Sequence, residues 1–317
     1  MMKKNHPIIV TGANGLAGSA VVEHFREKMH TCVIPATRAD VDLTDTKATH
    51  DFFERVGGDR GPFYVFHAAA QVYGLGGNMA NQGKSILNNT LINTNVIEAA
   101  HRSGCRKITV MGTNAIYPWP APVGRAYNEG DIFNGRPHDG EAAYGHAKRH
   151  MLAMLEAYQQ SYGLEYSYLV SGNLYGPRDR FDPVNGHVLP SLISKFAEAL
   201  DTGGTVEVWG DGSPMRDFLY SGDLARIVHI MMSEDLKPGP INIGNGSLTS
   251  IHDTVQLLCK VTGLSADRVR WNASKPNGRV NCEIDLNRLR ALGFTPLYDL
   301  ERGLSETWKW FRTARKM

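Results

Sequence analysis

A chain of 317 residues, 42% hydrophobic and 21% charged, has the material for a sizeable core in one large or two interlocked domains. A formal net charge of +2, with no block of like charges, excludes an electrostatic case for a nucleic-acid or membrane partner. No run approaches the ~18 apolar residues of a membrane span, and no apolar stretch with a small-residue cleavage site precedes the first strand-like segment, so a cytoplasmic protein is expected.

In chain order, Ile8–Thr11 reads as a strand and Ala17–Met29 as a helix, with Ala20, Val21 and Phe25 at helical spacing. Thr31–Pro35 is a second strand, Thr46–Val56 a second helix and Phe63–Ala69 a third strand. A long helix over Ile86–Ser103, a strand over Lys107–Met111, a long helix over Tyr144–Tyr162 and a strand over Leu164–Val170 complete the first half. Strict alternation of strand and helix predicts an α/β fold, a doubly wound parallel sheet of Rossmann type with helices on both faces.

From about Pro177, loops rich in Pro, Gly and Asp separate shorter elements. Helices are expected near Leu189–Leu200, Ser221–Met232, Ile251–Gly263 and Leu300–Ala314, and strands at Thr205–Trp209 and Pro240–Ile243. Residues 1–176 read as one domain and 177–317 as a smaller α/β substrate lobe packed on it, with chain crossing back near 205–245. Residues 72–80 and 118–143, rich in Gly, Pro and Asn, read as loops with a substrate-gating role. The four cysteines, Cys32, Cys105, Cys259 and Cys282, are widely spaced with no CxxC pair. They read as buried or incidental thiols, and no metal site is expected.

The first strand passes at once into Gly12-Ala13-Asn14-Gly15-Leu16-Ala17-Gly18 and then a helix. Glycines there allow a tight turn, let phosphates approach the backbone and let the helix lie close to the strand, while the helix N-terminus offers free N–H groups to a pyrophosphate. This predicts a dinucleotide site formed by Gly12, Asn14, Gly15, Leu16 and Gly18. An acid at the end of the second strand would bind the ribose hydroxyl of NAD. That strand instead leads into Thr37-Arg38, a hydroxyl and a guanidinium, which favours NADP and NADPH; the alternative is that Arg38 is a solvated surface residue.

Tyr144-Gly145-His146-Ala147-Lys148 sets a phenol and an ammonium one helical turn apart on one face. A cation beside a phenol favours the phenolate and suits proton transfer to a carbonyl as hydride arrives. Thr113 follows the strand Lys107–Met111, at the carboxyl end where a doubly wound sheet holds its substrate, and can offer a hydroxyl to the same carbonyl. Tyr-x-x-x-Lys also arises by chance in helices, and a loop threonine is often a local cap. The three signals together point to a catalytic set.

Gly12-x-x-Gly15-x-x-Gly18, Thr113 and Tyr144-x-x-x-Lys148 resemble the extended short-chain dehydrogenase/reductases, the NAD-dependent epimerase/dehydratase family, that modify nucleotide sugars. Asn173-Leu174-Tyr175-Gly176-Pro177, Asn185-Gly186-His187-Val188-Leu189-Pro190, Val208-Trp209-Gly210, Pro214-Met215-Arg216-Asp217-Phe218, Asn242-Ile243-Gly244 and Ser274-Lys275-Pro276-Asn277-Gly278 extend the likeness over nearly the whole chain, toward its GDP-L-fucose synthase branch. The resemblance implies Thr113, Tyr144 and Lys148 as the catalytic triad, with threonine in the place of the usual serine. It implies Asp42-Leu43 at the adenine and Ala68 and Ala69 beneath the cofactor. Asn173, His187, Val188, Trp209, Arg216 and Lys275 would hold a GDP-linked keto-sugar. It also implies a homodimer through the two long helices.

Fucose synthases pair a cysteine, two residues after the catalytic serine, with a histidine to epimerise C3 and C5. His187 matches the histidine, but Ala115 stands at the cysteine position and has no ionisable group. Epimerisation needs a base on one face and an acid on the other. The expectation is therefore a C4-keto reductase. A redox-neutral nucleotide-sugar epimerase or dehydratase with retained cofactor, and an inactive dinucleotide-binding regulator, are the competing readings.

Overall fold

β-Branched and aromatic runs without polar alternation, Ile8–Val10 and Phe63–Phe66, are what strands buried on both faces require, and these residues are at most 5% exposed. The structure, a computed structural model, describes residues 2–57, 61–73, 75–183, 186–275, 277 and 283–315. The first half contains β1 (Ile8–Thr11), α1 (Leu16–Glu27), β2 (Val33–Ala36), α2 (Thr46–Gly57), β3 (Phe63–His67), α3 (Leu75–Ala80), α4 (Gln82–Arg102), β4 (Cys105–Met111), α5 (Ala142–Tyr162) and β5 (Glu165–Ser171). There follow β6 (Asn173–Tyr175), α6 (Val188–Thr202), β7 (Val206–Trp209), β8 (Met215–Tyr220), α7 (Ser221–Ser233) and β9 (Gly239–Ile243). The chain ends with β10 (Leu248–Ser250), α8 (Ile251–Thr262), β11 (Val269–Asn272), α9 (Asn287–Ala291) and α10 (Leu300–Ala314).

Six strands pair in parallel in the order β2-β1-β3-β4-β5-β9, the doubly wound sheet expected. Alternate strand residues face opposite layers. Ile9, Val65 and Ile108 join Phe53 of α2, Val96 of α4 and Leu152 of α5, whereas Ile8, Val10 and Phe66 join Phe25 of α1 and Val228 of α7. Because β2 and β3 leave β1 on opposite sides, a crevice opens at the carboxyl ends of β1 and β3.

The second lobe holds a three-stranded sheet, β10-β8-β6, and a two-stranded one, β11-β7, over a core shared by α6, α8 and α10. The divide drawn at 176/177 falls just after β6, which pairs with β8. The chain returns to the first lobe through α7 and β9, while β7 and β8 stay in the second.

Four short strands, β6, β8, β10 and β11, and helices α3 and α9 were not expected from the sequence. Residues 75–80, read as loop, form α3, and within 118–143 the segments 129–131 and 139–141 are 3-10 turns. No helix among the described residues is long and apolar enough to cross a membrane.

Candidate active site

Gly12 follows β1 with φ +68°, and a Cβ there would lie 2.8 Å from Ala69 N. Gly18, inside α1, would place its Cβ 2.2 Å from Gly12 O. Only glycine lets the strand, the helix and the end of β3 approach so closely. Gly15 caps α1 with no side-chain bond, which leaves the helix N-terminus open to an anion. Gly12, Gly15, Leu16, Gly18 and Ala68 line a cleft of about 430 Å³, a cradle that fits a dinucleotide. Asn14 is exposed at the tip of the loop and does not line it.

Arg38 is exposed beyond β2, and Leu43 is buried nearby. Asp42 spends one carboxylate oxygen on Thr44 N (3.0 Å) and Oγ1 (2.7 Å), and these bonds hold it below the usual carboxylate range. Thr37 gives its N–H and hydroxyl to Asp40 (2.8 and 2.6 Å), an acid the sequence reading passed over. None of these six residues lines the cleft.

His67 is fully buried. Its Nδ1 meets Thr11 Oγ1 (2.8 Å) and its Nε2 meets Asn93 Oδ1 (3.1 Å); Asn93 in turn donates to Ala147 O (3.2 Å). Burial, then the Lys148 charge, lowers its pKa to about 3, so the imidazole is neutral. This chain of contacts ties β1, β3, α4 and α5 together next to Lys148.

Thr113, Tyr144 and Lys148 converge on the same cleft. Thr113 caps the 3-10 turn Asn114–Ile116, its Oγ1 accepting from Ala115 N (3.2 Å). Lys148 Nζ donates to Met111 O (2.8 Å) and stands 5.9 Å from the Tyr144 ring centre. Burial lowers Lys148 to about 7. Burial, with a smaller push from the Glu141 carboxylate, raises Tyr144, so the lowering of the phenol expected from Lys148 is not supplied by the chain alone. Ala115 is 4% exposed and does not line this cleft. The described cysteines, Cys32, Cys105 and Cys259, are free and likewise absent from the cleft, and Cys282 lies outside the described residues.

A second cavity of about 580 Å³ adjoins the first, and Asn173, His187 and Val188 line both. Asn173 Nδ2 donates to Asp217 O (3.3 Å), and His187 is exposed at the N-cap of α6. Arg216 lines the second cavity only, its guanidinium donating to Met215 O (2.8 Å). Trp209 and Lys275 are brought together elsewhere. The indole is 49% exposed, with Lys275 Nζ 5.4 Å and Lys195 Nζ 5.5 Å from its ring, and its Nε1 donates to Glu207 Oε1 (3.0 Å). Lys195 was missed, since only the meeting of α6 with β7 sets it there. Asn185, Pro276 and Gly278 lie outside the described residues. Among those described, no group of three or more His, Cys, Asp and Glu is placed to hold a metal.

The sequence model of the NAD dependent epimerase/dehydratase family matches residues 8–244. The GDP-L-fucose synthase of Escherichia coli (strain K12) is 34% identical over 314 residues, 96% of each chain. A GDP-L-fucose synthetase from Naegleria fowleri bound to NADP superposes with a TM-score of 0.90 at 28% identity, over 100% of this chain and 96% of that one. MlghC, a GDP-mannoheptose C4 reductase from Campylobacter jejuni with NADP bound, gives 0.84 at 28% identity over 98% and 100%.

Proposed function

Because the chain belongs to the NAD dependent epimerase/dehydratase family, we propose that it reduces the C4 keto group of a GDP-linked 4-keto-deoxy sugar with NADPH, without epimerising C3 and C5. The enzyme is an NADP-dependent oxidoreductase acting on nucleotide sugars. Bound in the glycine-rich cleft, NADPH supplies the hydride. The open N-terminus of α1 would hold its pyrophosphate, Ala68 and Ala69 would offer small side chains for the dinucleotide to lie against, and Arg38, Asp42 and Leu43 would serve its adenosine end.

Tyr144 gives a proton to the nascent alkoxide oxygen, and the Thr113 hydroxyl hydrogen-bonds the same oxygen. Lys148, held on Met111 O beneath the phenol, supplies positive charge when protonated and steadies the phenolate left behind. In the second lobe Arg216 suits the diphosphate, with Asn173 and Val188 lining its approach. Trp209, flanked by Lys195 and Lys275, offers an aromatic face and two cations to the GDP moiety. The long helices α4 and α5, with Leu87 59% and Tyr162 60% exposed, are the surface through which a homodimer would form.

The observation that carries the reductase reading is Ala115. A buried methyl holds the position two residues after Thr113, so that position offers no thiol to work with His187 in exchanging protons on both faces of the sugar. The test is to incubate the protein with GDP-4-keto-6-deoxymannose and NADPH in deuterated water and examine the product by proton NMR. Cofactor oxidation with protium retained at C3 and C5 is expected. Deuterium at both carbons would overturn the assignment, and turnover without net NADPH loss would favour the redox-neutral reading.

A further inference from the structure

α9 carries an arginine that the fold itself does not use. Leu289 anchors this short helix in the first lobe's core, and Leu286 is buried just before it. Arg290 stands one turn after Leu286 on the same face, its N–H bonded to Leu286 O (2.9 Å). Both residues line the cavity of about 580 Å³ that holds Arg216.

Gly246, on the same cavity, locates the guanidinium itself. A Cβ at Gly246 would lie 3.3 Å from Arg290 Nη2 and 3.6 Å from Leu286 Cδ1. With φ +86° and no side chain, Gly246 sets the tip of Arg290 against bare backbone at the cavity wall.

The five donors of that guanidinium find no acceptor in the protein. Arg290 is exposed and makes no side-chain hydrogen bond or ion pair among the described residues, whereas Arg288, two positions earlier, is tied to Pro240 O. Donors without an internal acceptor stay in contact with water. Two acids of the same cavity are already occupied. Asp217 accepts from Asn245 N and Gly246 N (both 2.8 Å), and Asp285 from Asn287 N (2.7 Å) and Nδ2 (3.1 Å). Burial raises the Asp217 carboxyl, and the two N–H groups and then the Arg290 charge pull it back, without an ion pair forming.

A guanidinium fits a phosphate with two parallel hydrogen bonds and gives up its water at less cost than an ammonium. Two arginines on one cavity, from β8 and α9, suit a ligand that carries two phosphates. We infer that Arg290 is a second cationic anchor, beside Arg216, for the diphosphate of the nucleotide sugar. The inference rests on the reading of this cavity as the nucleotide-sugar site and deepens it. Arg290 lines this cavity and not the dinucleotide cleft, so its charge serves the sugar nucleotide and not NADPH.

Arg290→Gln keeps a polar side chain and removes the charge. Kd for GDP is measured by calorimetry on the full chain at about 0.05 M and about 0.5 M salt, beside Kd for NADPH and the unliganded Tm. At low salt Kd for GDP should rise roughly 5- to 10-fold, and at high salt by less than about 3-fold, since contacts between charges at an exposed residue are screened. Kd for NADPH and Tm should stay in place. An unchanged Kd for GDP at low salt overturns the inference. So does a loss of equal size at both salts, which would mean a contact to the neutral base or ribose. An equal loss for NADPH, or a Tm lower by several degrees, would make Arg290 a structural residue and also overturn it. A wild-type protein that does not bind GDP would bring down the reading of the cavity itself, and this inference with it.

Discussion

The two lobes hold their working residues in opposite ways. In the first, the groups assigned to the chemistry are held by buried and half-buried contacts: Lys148 on Met111 O, Thr113 on Ala115 N, and α5 braced through Asn93 and His67 back to Thr11. In the second, the residues assigned to recognition are partly or largely exposed, on strands of three to six residues, on their flanks and on α6. Trp209 is half in solvent and Lys195 and Lys275 reach it through flexible stems. The difference follows from what each task demands. Proton and hydride transfer tolerate little misplacement, whereas a charged nucleotide can be gripped by side chains that settle onto it.

The sharpest way to break this contrast is at Tyr144. Tyr144→Phe should lower kcat about 10²- to 10⁴-fold with Kd for NADPH unchanged, read by steady-state kinetics beside fluorescence binding. A loss of cofactor affinity instead would make the phenol a binding group. Arg38→Asp, which sets an acid where NADP's extra phosphate is expected, should cut the preference for NADPH over NADH roughly 10- to 100-fold, measured as the ratio of kcat/KM. An unchanged ratio would make Arg38 a solvated surface residue.

Trp209→Ala tests the other lobe. It should raise KM for the nucleotide sugar roughly 10-fold and leave kcat in place, since the site removes an aromatic face and not a reacting group. A fall in kcat at saturating sugar would instead tie this surface to the chemistry.

The smallest effect is expected at the seam where α7 packs on α1. His24 Nε2 meets His229 Nδ1 (3.0 Å), with His30 edge-on to the same ring. Burial, then the neighbouring His229, Lys28 and Arg226, lowers His24 from 6.5 to about 4. The unfolded histidine takes up a proton that the folded one refuses. This stability is therefore present above 6.5 and lost as pH falls toward 4, and Tm should drop by a few degrees between about pH 7 and pH 5. A flat Tm would mean that the seam tolerates the charge.

Legibility in the sequence follows the same divide. The glycine turn and the long buried strands announce themselves locally: Ile8-Ile9-Val10 needs no partner to be read as a buried strand, and α10 ends where its apolar stripe ends. β6, Asn173-Leu174-Tyr175, has no such pattern, because its identity comes from pairing with Phe218–Tyr220, forty-odd residues away. Lys195 was invisible for the same reason. Nothing in α6 marks one lysine for an indole on another element. Tyr144 and Lys148 were readable as a pair, but the opposing effects of burial on their protons depend on the layers packed around them.

The return of α7 and β9 to the first sheet bears on how the gene could ever be divided. β9 is the outer neighbour of β5, matching Ser167–Ser171, and α7 covers the apolar stripe of α1. A fragment cut after residue 176 would display a bare, water-averse strand edge and an uncovered helix, both invitations to self-association. Expressed alone, residues 1–176 are therefore expected to self-associate, because part of what closes their sheet and covers α1 is supplied by the later half of the chain.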